Sequence, residues 1–181
     1  MEDSKGNSKL NIVDRFVDAD WAADIDTRRS QTGFIFYLNG GPISWQSKKQ
    51  TTVALSTVEA EYMALSAAVQ ELLYLRQLLE DLGFPQQNAS TLYEDNQGTM
   101  ALATGRAGMA KRTKHIDIHQ HFVRENIVSA QLVLEYVPSA QQRADFMTKS
   151  FAVAKFRELR DLALGAEKCQ LSPPAKRQRR R

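Results

Sequence analysis

The pattern of apolar and polar positions in the first third of the chain predicts short β-strands. The runs are Leu10–Val17, Gly33–Leu38, which is rich in aromatic and β-branched residues, and Pro42–Ser47. Asn39–Gly41, between the last two runs, has the sequence of a tight hairpin turn. The pattern therefore predicts an antiparallel meander of three strands.

The apolar period then lengthens from two residues to three or four, which indicates a helix. Ser56 and Glu59 have the spacing of a capping box, and Gly83 with Pro85 is a stop signal. The apolar positions between these signals predict one long helix with a buried stripe. They are Val58, Leu65, Ala68, Leu72, Leu75, Leu79 and Leu82.

The rest of the chain predicts a further alternation of strands and helices. The predicted elements are a strand at Ser90–Glu94, a short helix from about Asn96 to Ala103, a helix at Thr113–Val128, a strand at Gln131–Val137, a helix capped by Ser139 that continues through Lys149, and more helix to about Leu164. The order βββαβααβαα predicts an α/β fold with a five-stranded mixed sheet flanked by helices. We expect a flexible segment at residues 1–9, one domain at 10–165 and a disordered tail at 166–181.

Composition and charge add three constraints. The 181 residues are 43% hydrophobic and 25% charged, as in ordinary globular domains. Cys169 is the single cysteine, which leaves neither an internal disulfide nor a cysteine-based metal cluster. The last six residues, 176–181, carry five basic side chains. Removing these five charges from the formal net charge of +3 leaves −2 for the rest of the chain. With no apolar run near the ~20 residues of a membrane span, we expect an intracellular protein.

Four acidic residues occupy positions that are unusual for structural reasons alone. Glu61 fills a gap in the apolar stripe of the long helix, although a half-solvated place near the helix start is an equal alternative. Asp95 separates a strand from a helix, where it could also be an N-cap. Asp145 lies at the edge of an apolar stripe and could form an ion pair instead. Asp18 lies in "FVDADWAAD", at the end of the first strand, where a polar turn is the competing interpretation.

These acids are more informative together than singly. If the first and fourth strands are neighbours, all four converge at one end of the sheet. Clustered carboxylates need a counter-charge, and Mg²⁺ with its preference for oxygen ligands can supply it. Two such ions ~4 Å apart can act on the attacking and leaving oxygens of a phosphodiester.

Long, ordered motifs then give the chain a family resemblance. They are "DADWAAD" with the "DTRRSQTG" that follows it, "ISWQSKKQTTVALSTVEAEYMAL", "EDNQ", "RTKHIDIHQHFVRE" and "LEYVPSAQQRADFMTK". Over about Leu10–Phe151 the sequence resembles the ribonuclease H domain of copia-type LTR retrotransposon polyproteins. It departs from cellular ribonucleases H in lacking a histidine in the loop "VPSAQQRAD".

The resemblance implies a ribonuclease H-like fold and an endoribonuclease that hydrolyses the RNA strand of RNA–DNA hybrids during reverse transcription. Asp18, Glu61, Asp95 and Asp145 match the catalytic and metal-ligating acids, which would hold two Mg²⁺ ions, with Mn²⁺ as a substitute. The implied partners are the hybrid and the reverse transcriptase domain of the parent polyprotein, with no membrane. We expect a monomer when the domain is isolated, acting in the cytoplasm or a virus-like particle, or in the nucleus through the basic tail.

Several polar residues near these motifs are candidates for nucleic-acid contacts. They are Lys48, Lys49, Asn96, Gln97, Arg112, Lys114 and His115. The lysine doublet could instead be a solvated pair, and the Asn–Gln pair could cap a helix. His115 and His119 are one helical turn apart and could suggest zinc, but an exposed or nucleic-acid-facing helix is the preferred interpretation.

Two other functions stay open at this point. The chain could be a non-catalytic nucleic-acid-binding relic that keeps the fold without turnover, although all four acids are present. It could also be a transposase or integrase of the same broad fold, but those carry their glutamate on a late helix, whereas Glu61 is on the helix after the third strand.

Overall fold

A computed structural model describes residues 15–106 and 114–164, with the backbone alone for 114–116. The predicted order of strands and helices is confirmed. The elements are β1 (Arg15–Asp20), β2 (Gln31–Leu38), β3 (Gly41–Lys49), α1 (Thr57–Asp81), β4 (Ser90–Glu94), α2 (Gln97–Ala103), α3 (Lys114–Val128), β5 (Leu132–Tyr136), a 3₁₀ turn (Ser139–Gln141), α4 (Asp145–Thr148) and α5 (Val153–Ala163). The predicted N-terminal segment, the start of the first strand and the tail lie outside the described residues.

The five strands form one mixed sheet in the order β3-β2-β1-β4-β5. The β1–β2 and β2–β3 pairs are antiparallel, which confirms the predicted meander. The β1–β4 and β4–β5 pairs are parallel, with Phe16 opposite Tyr93 across the first of them. The first and fourth strands are therefore neighbours, as convergence of the acids requires.

Alternation along the strands divides the core between the two faces of the sheet. Val17 and Phe34 belong to the larger cluster, which includes Leu65 and Leu72 of α1. Their neighbours in sequence point the other way, and Phe16 belongs to a smaller cluster that includes residues of α4 and α5. The chain thus has three layers, with α1 on one face of the sheet and α4 and α5 on the other.

The long helix α1 confirms most of the predicted stripe. Leu65, Leu72 and Leu79 are buried, whereas Leu82, which the stripe also included, is 62% exposed. That part of the prediction is wrong because Leu82 is the C-cap of the helix, and the chain turns away at Gly83 with a φ of 86°.

The segment after β5 differs most from the prediction. Ser139 does not cap a helix through Lys149; it starts a single 3₁₀ turn, and α4 begins only at Asp145. Gln142, between them, is fully buried and extended, and its Nε2 donates to the carbonyl of Val17 at 2.8 Å. The backbone N–H of Ala144 donates to the same side chain at 3.3 Å. One glutamine therefore links the segment before α4 to the middle of β1.

Helix α4 also depends on a glycine in the neighbouring strand. A Cβ on Gly33 would lie 2.5 Å from Thr148 Cγ2 and 2.9 Å from Met147 Cβ. Gly33 is the residue opposite Asp18 in the β1–β2 pair. The absent side chain therefore lets α4 approach the sheet beside Asp18. Among the described helices, none is long and apolar enough to cross a bilayer.

Candidate active site

Asp18 lies within β1 rather than at its end, because the strand continues to Asp20. Its side chain is 1% exposed and has close partners from the far end of the chain. Thr148 donates its hydroxyl to Asp18 Oδ2, and Lys149 Nζ lies 3.2 Å from Asp18 Oδ1. Burial raises the pKa of Asp18 to about 6, even though Lys149 and Thr148 oppose that change.

Glu61 lies on the buried face of α1, as its place in the apolar stripe predicts. It is 4% exposed, and its Oε2 has no hydrogen-bond partner within the described part of the chain. Burial is the main cause that raises the pKa of Glu61 to about 10, and the nearby acids Glu94, Asp18 and Asp95 add to it. Lys149 is the described cation that opposes this rise, and its effect is smaller than that of burial.

Asp95 lies between β4 and α2 and is half-buried. It is not the N-cap of α2, because that cap is Asn96, whose side chain accepts from the N–H of Thr99 at 3.0 Å. Instead, Asp95 Oδ2 accepts the hydroxyl proton of Ser139 at 2.6 Å. The 3₁₀ turn that replaces the predicted helix therefore supplies a partner to this acid.

Three of the four predicted acids meet in one group. Asp18, Glu61 and Asp95 each offer a carboxylate oxygen, and these oxygens lie within 4.8 Å of one another. Asp145, the first residue of α4, is not a member of that group. It is joined to it through Lys149, whose Nζ lies 2.6 Å from Asp145 Oδ1.

Sequence reasoning missed a fifth carboxyl group, that of Glu94. It is fully buried; its Oε1 accepts from the N–H of Asn96 at 3.0 Å, and its Oε2 lacks a partner among the described residues. Burial raises the pKa of Glu94 well above its ordinary value. The period of the strand carried the signal, because Ser90, Leu92 and Glu94 alternate with half-buried residues in β4.

The donor set fits a hard divalent cation. All three grouped donors are carboxylate oxygens, which Mg²⁺ and Mn²⁺ prefer to nitrogen and sulfur ligands. The Oε2 atoms of Glu61 and Glu94 are buried at this site and lack a hydrogen-bond partner among the described residues, which a bound cation could supply. Asp18, Glu61 and Asp95 could therefore hold a metal, while Asp145 pairs with Lys149, which also contacts Asp18.

The turn after β1 explains Asp24, the last acid of "FVDADWAAD". The N–H and hydroxyl of Thr27 both donate to Asp24 Oδ1 at 2.7 Å. Lys49 forms an ion pair with Asp24, and their hydrogen bond is the main cause that lowers the pKa of Asp24. The interpretation as a polar turn thus holds for Asp24, while Asp18 belongs to the acid group.

Some of the residues predicted to contact nucleic acid are exposed, and others make contacts within the protein. Lys48 and Gln97 are exposed, Lys49 is paired with Asp24, and Asn96 caps α2. Arg112 lies outside the described residues, as do the side chains of Lys114 and His115.

A groove of about 240 Å³ lies between the end of β3 and one side of α1. Its lining includes Lys48, Lys49, Gln50 and His119. Gln50 Nε2 donates to the carbonyl of Ala60 at 2.9 Å, so the groove is tied to the residue that precedes Glu61. His119 Nδ1 lies 2.7 Å from the hydroxyl of the buried Ser66.

Comparison with known proteins places these features in a family. The chain is 40% identical over 151 residues to the retrovirus-related Pol polyprotein from transposon TNT 1-94 of Nicotiana tabacum. It is 37% identical over 153 residues to that from transposon RE2 of Arabidopsis thaliana. The chain is a homologue of transposon Pol polyproteins. These alignments include 83% and 84% of the chain but only 11% and 10% of the relatives, so the chain spans about a tenth of their length.

Solved structures identify the fold. Ribonuclease H1 from Halobacterium salinarum superposes with a TM-score of 0.53 at 20% identity, covering 75% of this chain and 93% of that one. LC11-RNase H1 in complex with an RNA/DNA hybrid gives the same TM-score at 13% identity, with 75% and 93% covered. No family model matches the chain. The ribonuclease H fold and the resemblance to copia-type polyproteins are both confirmed.

Proposed function

We propose that this chain is an endoribonuclease that hydrolyses the RNA strand of RNA–DNA hybrids by a two-metal-ion mechanism, as in reverse transcription of a retrotransposon. The observation that carries the proposal is the meeting of Asp18, Glu61 and Asp95 within 4.8 Å, on neighbouring strands and the helix that covers them. The ribonuclease H fold and the homology to Pol polyproteins support the same function.

Asp18, Glu61, Asp95 and Asp145 would hold two Mg²⁺ ions, with Mn²⁺ as a substitute. When bound, such ions activate water and stabilise negative charge on the phosphodiester. The protein's part is to hold the acids in place before substrate arrives. Thr148 orients Asp18, and Ser139 orients Asp95 by hydroxyl hydrogen bonds.

The backbone of the hybrid would follow the groove lined by Lys48 and His119, since a lysine in a groove can contact phosphate. Gln97 is exposed next to Asp95 and is placed to contact a base edge or a 2′-hydroxyl, the group that distinguishes RNA from DNA. Asn96 and Lys49 make their contacts within the protein, which leaves Lys48 and Gln97 as the better candidates for substrate contacts.

The alternative function is a non-catalytic relic that binds nucleic acid. Burying Glu61 and Glu94, each with one oxygen unpartnered among the described residues, lowers the stability of the protein, and binding alone gives no reason to retain them. A domain that had lost its metal would be expected to replace these acids by neutral residues. The intact group therefore favours catalysis.

The relatives are polyproteins, which supports a reverse transcriptase domain as the partner of this chain. Action in the cytoplasm or in a virus-like particle, nuclear import through the basic tail, and a monomeric state of the isolated domain stay predictions.

End-labelled RNA–DNA hybrid, duplex DNA and duplex RNA distinguish these functions when each is incubated with the protein and Mg²⁺, Mn²⁺ or EDTA. We expect internal cleavage of the RNA strand in the hybrid only, and none with EDTA. Asp18→Asn should abolish cleavage, whereas Asp20→Asn, a matched change in the same strand outside the acid group, should retain it. Tight hybrid binding by folded protein without cleavage in either metal would establish the relic instead.

A further inference from the structure

Lys149 has no role in the proposed function, yet it lies between two of the four acids, Asp18 and Asp145. It is the C-cap of α4, and its backbone is extended. Its Nζ lies 2.6 Å from Asp145 Oδ1 and 3.2 Å from Asp18 Oδ1. One ammonium group thus bridges an acid from the first strand and an acid from a helix near the end of the domain.

Both carboxylate oxygens of Asp18 are engaged in this arrangement. Thr148 donates to Oδ2, while Lys149 lies against Oδ1. The metal-binding group made by Asp18 with Glu61 and Asp95 uses one of the same two oxygens. A divalent ion bound there would lie close to a lysine cation of the same sign, and the two would repel each other.

The Lys149 side chain also has open space beside it. Its side chain is 34% exposed, while that of Asp18 is 1% exposed. It lines an open cleft of about 350 Å³ together with Ser47, Met147 and Ser150. Because lysine carries a compact charge on a flexible four-carbon chain, the ammonium can leave Asp18 without movement of the backbone.

We propose that Lys149 is a built-in competitor for the divalent ion: its ammonium holds Asp18 and Asp145 together in the metal-free protein and moves off Asp18 when metal binds. The proposal rests on the proposed function, since it concerns the same acids. In the metal-free state Lys149 keeps Asp145 at the site, beside the group formed by Asp18, Glu61 and Asp95. It also sets the concentration of divalent ion at which the site fills.

Mn²⁺ alone, without nucleic acid, is the probe that tests this role. Binding is measured by isothermal titration calorimetry and by the rise in melting temperature over EDTA, for the whole chain and for Lys149→Met. We expect the variant to melt at a lower temperature in EDTA, because two acids lose their shared cation. We also expect it to bind Mn²⁺ about tenfold more tightly, because the competing charge is gone.

Lys149→Arg and Lys155→Met are the controls. Arginine keeps the positive charge within reach of both acids, so its Mn²⁺ midpoint should stay near that of the unchanged protein. Lys155 forms an exposed ion pair with Glu158 in α5, and its removal should change neither measurement.

The direction of the effect separates this role from a purely structural one. A lysine that only supports the fold, or one that assists the metal-bound state, predicts weaker Mn²⁺ binding in Lys149→Met. Unchanged or weaker binding therefore overturns the competitor role while leaving the proposed nuclease intact. Absence of Mn²⁺ binding by the unchanged protein would overturn the metal site, and the role of Lys149 with it.

Discussion

Substitution of Glu61 by glutamine should make the metal-free protein more stable at neutral pH. Burial and neighbouring acids raise the pKa of Glu61 from 4.5 to about 10. Between these two values the folded protein keeps a proton that the unfolded chain has released, so folding becomes less favourable as pH rises. Each pH unit above 4.5 lowers the free energy of unfolding by about 1.4 kcal/mol, which amounts to about 3 kcal/mol at pH 7.

Glutamine has nearly the shape of the protonated glutamate and cannot ionise, so it removes this cost. In EDTA at pH 7 we expect Glu61→Gln to gain up to about 3 kcal/mol, or roughly 6–12 °C in melting temperature for a domain of this size. At pH 4.5 and below, where the unfolded chain is also protonated, the gain should vanish. Calorimetric melting at pH 4.5, 6, 7 and 8 measures the difference directly.

The same substitution should reduce cleavage of hybrid by orders of magnitude, because a proposed metal ligand is lost. Glu59→Gln is the matched control on the same helix. Glu59 Oε2 accepts from the N–H of Leu55 at 3.0 Å, a bond that a glutamine oxygen can replace. This control should keep most of the activity. A Glu61→Gln protein that is less stable than the parent at pH 7, or equally changed at every pH, would refute the reasoning about burial.

Three further changes test other parts of the site. Gly33→Ala should cost about 1–3 kcal/mol and most of the activity, because the new Cβ would meet Thr148, whereas Gly41→Ala, whose Cβ would make only an ordinary contact with the Leu38 carbonyl at 3.8 Å, should cost less than 1 kcal/mol in thermal melting. Gln142→Leu should cost about 1–3 kcal/mol in urea unfolding and lower the rate without abolishing Mn²⁺ binding, since two buried backbone groups lose their partner. Deleting residues 172–181 should leave the melting temperature and saturated turnover unchanged. It should weaken binding to the hybrid and make that binding less dependent on salt, because fewer cations reach the polyanion. A loss of folding would show that the tail packs on the domain.

Local patterns were sufficient to predict most elements. The hairpin at Asn39–Gly41, the start of α1 and the strand before Asp95 all follow from turn, capping and period-two signals within a few residues. Glu61 was placed on the inner face of α1 by the same kind of reasoning, since the helix is long and its stripe is regular. In the capping box the glutamate accepts from Leu55 rather than from Ser56, a difference of one residue.

The failures arise where distant contacts override local preference. Ser139 has the chemistry of an N-cap, but its hydroxyl serves Asp95. The helix predicted after it is interrupted at Gln142, which adopts an extended backbone and bonds to Val17, 125 positions earlier in the chain. A pattern in one segment carries no information on a partner in another strand, so these contacts could not be read from the sequence.

The position of Lys149 could not be predicted for the same reason, although the residue lies in a recognised motif. Lys149 follows α4 directly as its C-cap, and its ammonium lies between Asp145 and Asp18. The contact with Asp145 agrees with the local spacing of four residues, which a helix through Lys149 would also have brought together. The contact with Asp18, 131 positions earlier in the chain, arises only from the packing of α4 against the sheet.

The site thus neutralises its acids in two different ways. Asp18 and Asp145 share the ammonium of Lys149, whereas burial raises the pKa of Glu61 to about 10 and that of Glu94 well above its ordinary value. A divalent ion bound to the group, as the proposed function requires, would meet the ammonium of Lys149 beside Asp18. We therefore expect metal affinity at this site to depend on the residues around the ligands as well as on the ligands themselves.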